Sequence, residues 1–147
     1  MKTIRLILKQ KGRKIWSATP DMTVFQALQL MAEKDIGALP VLEDGKVVGI
    51  FSERDYARKV ILKGRSSHET RVREIMSAPV LCIDPDQTNE YGLALMTAKH
   101  VRHLPVLEGE TLVGFISIGD LVKSIIEEQK IVIDKLEQHI RRTSGMY

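Results

Sequence analysis

Apolar residues recur at helical spacing in two stretches of the chain, each introduced by a Pro-Asp pair and a threonine. Such spacing predicts an amphipathic helix in each stretch. Thr23 and Thr88 stand where the helix N-caps are expected, and Thr23 forms a capping-box pattern with Gln26. The apolar positions of the first helix are Val24, Leu28 and Met31.

Two short apolar runs follow each predicted helix and indicate a β-hairpin. In the first copy they are separated by Glu43-Asp44-Gly45-Lys46, where Asp-Gly is typical of a tight turn. Pro40 and Pro105 cannot donate to a ladder, so each is expected at a strand start or a sheet edge. A further helix is predicted from Ser52 to about Leu62. The strand that opens each copy is predicted at 15–18 and at 80–83.

The two stretches are copies of one unit, 65 residues apart without a gap. Between positions 20–55 and 85–120, 16 of 36 aligned residues are identical. A repeat of this kind is one structural unit used twice, usually because one copy cannot bury its apolar face alone. We predict an α/β fold of the α+β type, with two β-α-β-β-α repeats related by pseudo-two-fold symmetry. The predicted boundaries are 1–62 for repeat 1 with its N-terminal segment, 63–76 for a polar linker, 77–123 for repeat 2 and 124–147 for a C-terminal helical extension.

The last predicted helix starts at Ser117 and continues to about Arg141. Its seam positions step by 4, 3, 4, 3 and 4 residues and are apolar except for Gln129, which is a coiled-coil-like pattern. The seam residues are Val122, Ile126, Gln129, Ile133, Leu136 and Ile140. The chain's own core and a partner subunit explain this face about equally well, because its last turns run beyond the repeated unit. We expect a homodimer through the repeated units and this helix.

Composition narrows the class of protein. The 147 residues are 44% hydrophobic and 28% charged, as in an ordinary soluble domain with one core. A net charge of +3 suits an anionic small ligand and is weak evidence for nucleic acid, since 19 acidic residues interleave with the basic ones. Cys82 is the single cysteine, so no internal disulfide is possible. Its place in a predicted strand favours a buried apolar role.

The apolar runs of the chain indicate neither a signal peptide nor a membrane span. The apolar stretch at the N-terminus is too short for a signal-peptide core, and Arg5 interrupts it. No run approaches the ~18–20 apolar residues that a membrane span needs. The expectation is a cytoplasmic protein without membrane contact.

The repeated polar motif is Gly-x-x-Ser-x-x-Asp, at a predicted strand-to-helix junction. It occurs as Gly49, Ser52 and Asp55, and again as Gly114, Ser117 and Asp120. Such a junction exposes backbone N–H groups and the positive end of a helix dipole, which favour an anion. The serine can donate to a phosphate or sugar oxygen, the aspartate can accept from a vicinal diol, and the glycine lets a ligand approach the backbone.

One copy of this motif would more often be a helix cap than a ligand site, because Ser-x-x-Asp is close to a capping box and short motifs match frequently by chance. Two copies at the same offset from a Leu-Pro-Val strand favour a ligand site, since a cap needs no such context. Arg54 lies in the first turn of a predicted helix, where the dipole disfavours a cation. Either a solvated arginine or a phosphate partner explains it, and Arg58 one turn later could reach the same anion.

On these residues the chain resembles a tandem cystathionine-β-synthase (CBS) domain pair of the stand-alone type. The resemblance rests on two Leu-Pro-Val segments, two Gly-x-x-Ser-x-x-Asp segments and two Pro-led helix starts, and it covers about Lys11 to Lys123. It implies a non-catalytic regulatory module that binds adenine nucleotides, AMP or NAD foremost and ADP or ATP otherwise, in the cleft between the repeats. It implies no catalytic cofactor and no metal, and the regulated partner protein stays unidentified.

The resemblance also implies roles for individual residues. Asp55 and Asp120 match ribose-binding aspartates, and Ser52 and Ser117 match the hydroxyls beside ribose or phosphate. Arg102 and His103 precede the second Leu-Pro strand and are expected to face phosphates, whereas the first repeat has Gly37 and Ala38 there. The two sites are therefore expected to be unequal. The segments from Ile15 to Ser17 and from Val80 to Cys82 are expected to wall the adenine.

Three other classes of protein are alternatives to a nucleotide-binding regulatory module. An enzyme such as a hydrolase is disfavoured, because the sequence has no Cys/His, Ser/His/Asp or metal-ligand cluster. Nucleic-acid binding is suggested by the basic run Lys9-Gln10-Lys11-Gly12-Arg13-Lys14, but Trp16 is the single aromatic nearby. That run could instead bring Lys11 or Lys14 to ligand phosphates. A module that binds a protein partner without any ligand stays open.

Overall fold

A computed structural model describes residues 1–12 and 14–144 of the chain. Arg13, within the basic run, and residues 145–147, at the end of the predicted extension, lie outside the described residues. The helices are α1 (Ile4–Lys11), α2 (Val24–Lys34), α3 (Glu53–Lys59), α4 (Val72–Ile75), α5 (Asn89–Lys99) and α6 (Ile118–Ser144). The strands are β1 (Ala38–Glu43), β2 (Lys46–Ser52), β3 (His103–Glu108) and β4 (Thr111–Ser117), and a 3₁₀ turn spans Ile61–Lys63.

The chain divides into two compact units. The described part of unit 1 comprises residues 1–12, 84–104 and 116–144, and that of unit 2 comprises 14–83 and 105–115. Each hairpin forms a two-stranded sheet, β1 with β2 and β3 with β4. Pro40 and Pro105 therefore lie in edge strands, as a residue without an N–H donor requires.

Unit 2 is built around the antiparallel hairpin β1–β2. Leu39 pairs with Phe51 and Ala38 with Ser52 in its register. Leu39, Val41 and Phe51 are fully buried in a core that also holds Val24 and Met31 of α2. These are the apolar positions that the helical and strand patterns predicted. Thr23 caps α2 through a complete capping box with Gln26, which confirms the predicted N-terminus.

The predicted strands at 15–18 and 80–83 are wrong as strands. In each segment one residue forms an isolated parallel bridge, Ala18 to Val41 and Ile83 to Val106. The N–H of Ala18 donates to the Pro40 carbonyl, and its own carbonyl accepts from Leu42. A ladder needs successive bonded residues, and these segments supply one bonded residue each.

Unit 1 contains a helix that the sequence patterns did not predict. Thr3 accepts a hydrogen bond from the Leu6 N–H and caps α1, which ends at Gly12 with φ 100°. Ile4, Ile7 and Leu8 are buried on one face of α1. Their spacing of three and four residues is the signal that could have identified the helix. Arg5, which interrupts the apolar run, is exposed on another face.

Helix α6 is 27 residues long, which confirms the predicted continuation to Arg141. Its first turns pack within unit 1, where Leu121 and Ser124 are buried. The Asn89 amide donates to Ser124 Oγ and to Glu128 Oε1, both at 2.9 Å, and so ties α5 to α6. Within the described ranges, no helix is long and apolar enough to cross a membrane.

Candidate functional site

The first serine–aspartate pair forms the corner between β2 and α3. Ser52 Oγ accepts a hydrogen bond from the Asp55 N–H at 3.1 Å, and Asp55 Oδ2 accepts from the Ser52 N–H at 3.0 Å. The Ser52 hydroxyl also donates to Asp55 Oδ2 at 3.0 Å. This arrangement is a complete capping box, so the capping explanation of the motif holds locally.

The second carboxylate oxygen of Asp55 is held within unit 2. Asp55 Oδ1 accepts from the Ser77 hydroxyl at 3.0 Å and lies 3.0 Å from Lys59 Nζ. Ser77 is itself fixed against β2 by two backbone bonds with Ile50. The Asp55 side chain is 10% exposed. Both of its oxygens are therefore engaged by the protein.

The second pair forms the corresponding corner between β4 and α6. The Asp120 N–H donates to Ser117 Oγ at 3.1 Å, and the Ser117 N–H donates to Asp120 Oδ2 at 2.9 Å. Here the cation comes from α1, because Lys11 Nζ lies 2.7 Å from Asp120 Oδ2. The Asp120 side chain is 23% exposed, more than twice the value for Asp55.

The electrostatics of the second corner follow from this contact. Burial raises the pKa of the Asp120 carboxyl, but the hydrogen bond and charge of Lys11, with the bonds from Ser117, outweigh it and lower the pKa overall. Asp120 is therefore an anion at neutral pH. An anionic carboxylate with one cation beside it can accept hydrogen bonds from a diol once the cation moves aside.

The residues before each Leu-Pro strand are positioned alike. The Gly37 carbonyl accepts from the Glu53 N–H at 3.1 Å, and the Arg102 carbonyl accepts from the Ile118 N–H at 2.9 Å. The side chains differ as the sequence indicated. Ala38 is buried, whereas Arg102 is exposed and His103 is half-buried.

His103 belongs electrostatically to the second corner. Burial lowers the pKa of its imidazole, the charges of Lys11 and Arg102 lower it further, and Asp120 partly offsets both. His103 is therefore largely neutral at pH 7. The Asp120–Lys11 pair therefore shares this corner with a largely neutral His103, on which the charge of Arg102 also acts.

An open groove of about 520 Å³ lies beside Asp120 in unit 1. Its walls come from one face of α1 and one face of α6. The lining residues are Ile7, Gln10, Lys11, Asp120, Lys123, Ser124 and Glu127. The groove therefore combines two lysines with two carboxylates next to the aspartate of the repeated motif.

Other predicted site residues are not joined to these corners. Arg54 and Arg58 are exposed on α3. Ile15 and Ser17 are half-buried ahead of the Ala18 bridge to β1. The space before Ser52 is also taken, because a Cβ added to Gly49 would lie 2.5 Å from Met76 Sδ. The Met76 side chain therefore occupies the space that the absence of a Cβ at Gly49 leaves, where a ligand had been expected.

Sequence reasoning missed two partners of Asp55 and proposed another role for Lys11. Lys59 stands four residues after Asp55, a helical ion-pair spacing that could have identified it. Ser77 is 22 residues away in sequence, and no local pattern connects it with Asp55. Lys11 was considered as a phosphate contact, and the structure places it on the carboxylate of Asp120.

The described residues form no clustered site that would favour an enzyme or a nucleic-acid-binding protein. The basic run is divided, because Lys11 contacts Asp120 while Lys14 Nζ lies 5.1 Å from the Trp16 ring centroid, which Lys34 also approaches at 4.1 Å. Burial raises the pKa of the half-buried Cys82 thiol, which disfavours the nucleophilic thiolate. Within the same ranges, no group of three or more His, Cys, Asp or Glu residues could hold a metal ion.

Comparison with known proteins gives a consistent result. The family model for the CBS domain matches residues 12–62 and 72–127. A CBS-domain protein of Burkholderia ambifaria has a solved structure that superposes with a TM-score of 0.83 at 52% identity, over 87% of this chain and 96% of that one. The mitochondrial CBS domain-containing protein CBSX3 of Arabidopsis thaliana is 34% identical over 95% of this chain and 72% of its own length.

A more distant structure carries ligands. The CBS domain pair of protein MJ0100, in complex with 5′-methylthioadenosine and S-adenosyl-L-methionine, superposes with a TM-score of 0.74 at 21% identity. The superposition covers 84% of this chain and 99% of that one. At this identity the likeness shows a shared fold.

Proposed function

Because the chain belongs to the CBS domain family and carries two copies of the domain, we propose that it is a non-catalytic regulatory module that binds an adenine nucleotide. AMP and NAD are the first candidates, followed by ADP and ATP. The observation that carries the proposal is the second corner, where the anionic Asp120 lies against Lys11 and beside a groove that Lys11 and Lys123 line. A ribose diol suits the carboxylate, and a phosphate suits the cations.

The two corners are proposed to bind unequally, with repeat 2 as the principal site. Asp120 has the more exposed carboxylate, and the charges of Lys11 and Arg102 act on its surroundings. Asp55 already accepts from Ser52 and Ser77 and lies against Lys59, so a diol would have to displace existing partners. This inequality agrees in direction with the contrast between Arg102-His103 and Gly37-Ala38.

The remaining site residues keep their roles as proposals. Ser117 and Ser52 would contact ribose or phosphate, and Ile15 and Ser17 would wall the adenine. Arg54 and Arg58 are exposed where a phosphate could reach them. We also propose a homodimer and a cytoplasmic location, and we retain the predicted division into two repeats, a linker and a helical extension.

Titration calorimetry with AMP, NAD, ADP, ATP and adenosine tests the proposal directly. We expect saturable binding of at least one nucleotide, and a thermal shift that grows with its concentration. Asp120→Asn should weaken binding about tenfold or more, because a carboxylate that accepts from a diol is lost. Asp134→Asn makes the same chemical change at an exposed position of α6 and should leave the affinity unchanged.

Two results would count against the proposal. The first is an absence of both heat and thermal stabilisation with every nucleotide at millimolar concentration. The second is equal weakening by Asp120→Asn and Asp134→Asn, which would disconnect binding from the corner. Turnover of a nucleotide in the same samples would instead indicate an enzyme, and a salt-dependent gel shift would indicate a nucleic-acid binder.

A further inference from the structure

Two faces of α6 differ in what they contact. Leu121 and Ser124 are buried in unit 1, and Glu128 accepts hydrogen bonds from the Asn89 amide and the Lys2 N–H. Val122 and Ile126 follow on a different face and are 39% and 57% exposed. Neighbouring residues of a helix point about 100° apart, so the seam is not the face that packs on unit 1.

The two faces also differ in how they continue along α6. The line through Leu121, Ser124 and Glu128 continues through Ile131, which is 53% exposed, to the polar residues Lys135 and His139. The seam remains apolar, with Ile133 at 53%, Leu136 at 56% and Ile140 at 55% exposed. Val132 widens the seam on one side and is 55% exposed. Solvent-exposed aliphatic side chains over several turns indicate a face that another helix covers.

We propose that this face pairs with α6 of a second copy in antiparallel orientation. The proposal specifies one contact of the homodimer proposed above, and nucleotide binding is not needed for it. The seam follows a heptad with Ile126, Ile133 and Ile140 at position a and with Val122, Gln129 and Leu136 at position d. In an antiparallel pair each a residue faces a d residue, so Ile133 meets Leu136 of the other copy and Gln129 meets Ile140.

Charge complementarity determines the orientation. Lys130 and Glu137 occupy the two e positions that flank these layers. In the antiparallel register Lys130 of each copy lies beside Glu137 of the other, which gives two opposite-charge pairs. In a parallel pair, e positions lie beside g positions instead. The g positions hold Ile125, Val132 and His139, so that neither Lys130 nor Glu137 meets an opposite charge.

The charged residues and the apolar seam would contribute differently to the pairing of the two helices. Exposed ion pairs add little affinity each, so the Lys130 and Glu137 pairs would select the orientation while the apolar seam supplies the binding energy. A seam of under three heptads is short for free peptides, which are marginally helical at this length. Here the start of α6 is fixed in unit 1 by Leu121 and Ser124, so the helix is formed before it pairs.

Directed cross-linking of the full chain tests the orientation. The variant carries Gln129→Cys and Ile140→Cys, with Cys82→Ala to remove the natural thiol. Positions 129 and 140 of one helix are about 16 Å apart, too far for a disulfide within one chain. Mild oxidation followed by tryptic mapping under non-reducing conditions should therefore yield a linked 129–140 peptide in a covalent dimer.

Each other result overturns the proposal. Linkage of 129 to 129 and of 140 to 140 would show a parallel pair. A lack of any cross-link would show that another occupant covers the seam, either a different protein or a different face of a second copy. The cross-link reports helix contact itself, so a dimer held through other surfaces does not obscure the answer. Nucleotide titrations on the same samples keep this outcome separate from that of the proposed function.

Charge reversal tests the register. In the cross-linking variant, Lys130→Glu or Glu137→Lys alone should slow disulfide formation about tenfold, because two attractive pairs become two repulsive ones. The double reversal should restore the rate. Lys135→Glu is the matched control, since it makes the same charge change away from the seam. Slowing by the control to the same extent, or failure of the double reversal to restore the rate, would contradict the register.

Discussion

The two serine–aspartate corners share the same capping hydrogen bonds, but the two aspartate carboxylates have different additional partners. Asp55 is completed by Ser77 and Lys59, both in unit 2, and is almost fully buried. Asp120 is completed by Lys11 from the N-terminal helix and is more exposed. The same Gly-x-x-Ser-x-x-Asp motif therefore produced one structural carboxylate and one whose counter-ion is the flexible side chain of Lys11. A ligand can replace the second arrangement more readily than the first.

The largest expected effect separates the two aspartates by their contribution to stability. Asp55→Ala removes the buried carboxylate to which the Ser52 and Ser77 hydroxyls donate, while Lys59 keeps its hydrogen bond to the Ile75 carbonyl. The change should cost about 2–3 kcal/mol in the free energy of unfolding. Asp120→Ala loses a cap and an exposed ion pair and should cost about 1 kcal/mol. Urea unfolding of both variants beside the wild type measures the difference. Equal losses would remove the structural distinction between the corners.

The next effect concerns Lys11 and ligand discrimination. If the ammonium competes with ribose for Asp120, Lys11→Met should tighten adenosine binding by roughly twofold to fivefold, the range that one exposed ion pair supports. The same variant should reduce the advantage of AMP over adenosine, because a cation near the phosphate is lost. Lys9→Met on the same helix is the matched control. Equal change of both affinities would indicate that Lys11 acts on neither group specifically.

A smaller effect is expected in the pH dependence of stability. The pKa of His103 is lowered by burial and by the charges of Lys11 and Arg102, so the unfolded chain takes up its proton more readily. Stability from this group is complete above its ordinary pKa of 6.5 and declines as pH falls through the lower folded pKa. His103→Gln should therefore flatten the stability profile in weak acid. His100→Asn, at the exposed end of α5, should leave the profile as it is.

The smallest effect is the stability supplied by the Lys11–Asp120 pair. Lys11→Met should cost about 0.5–1 kcal/mol at pH 7, since both side chains are partly exposed. The pKa of Asp120 is lowered in the folded state, so this contribution is present above the ordinary value of 3.8 and disappears as pH falls through the folded pKa. Unfolding curves at pH 7 and in acid measure it. A cost that persists after Asp120 is protonated would point to packing by the lysine stem.

The local sequence pattern was sufficient to predict an element when residues of that element and its immediate neighbours determine where it begins and ends. The Thr23 capping box, the β1–β2 hairpin and the length of α6 follow from residues a few positions apart. It was insufficient at 15–18 and 80–83, where apolar residues form single bridges and no strand. The sequence patterns also gave no helix at the N-terminus, although Ile4, Ile7 and Leu8 have helical spacing and are buried on one face of α1.

The sequence by itself determined the repeat, the capped helix and hairpin of each copy and the residues of both corners, because capping and hairpin turns depend on neighbours in the chain. The tertiary structure decided which carboxylate stays accessible. Ser77 is 22 residues from Asp55 and Lys11 is 109 residues from Asp120. Contacts over such separations depend on how elements pack, and two copies with the same motif can therefore acquire different partners and different exposure.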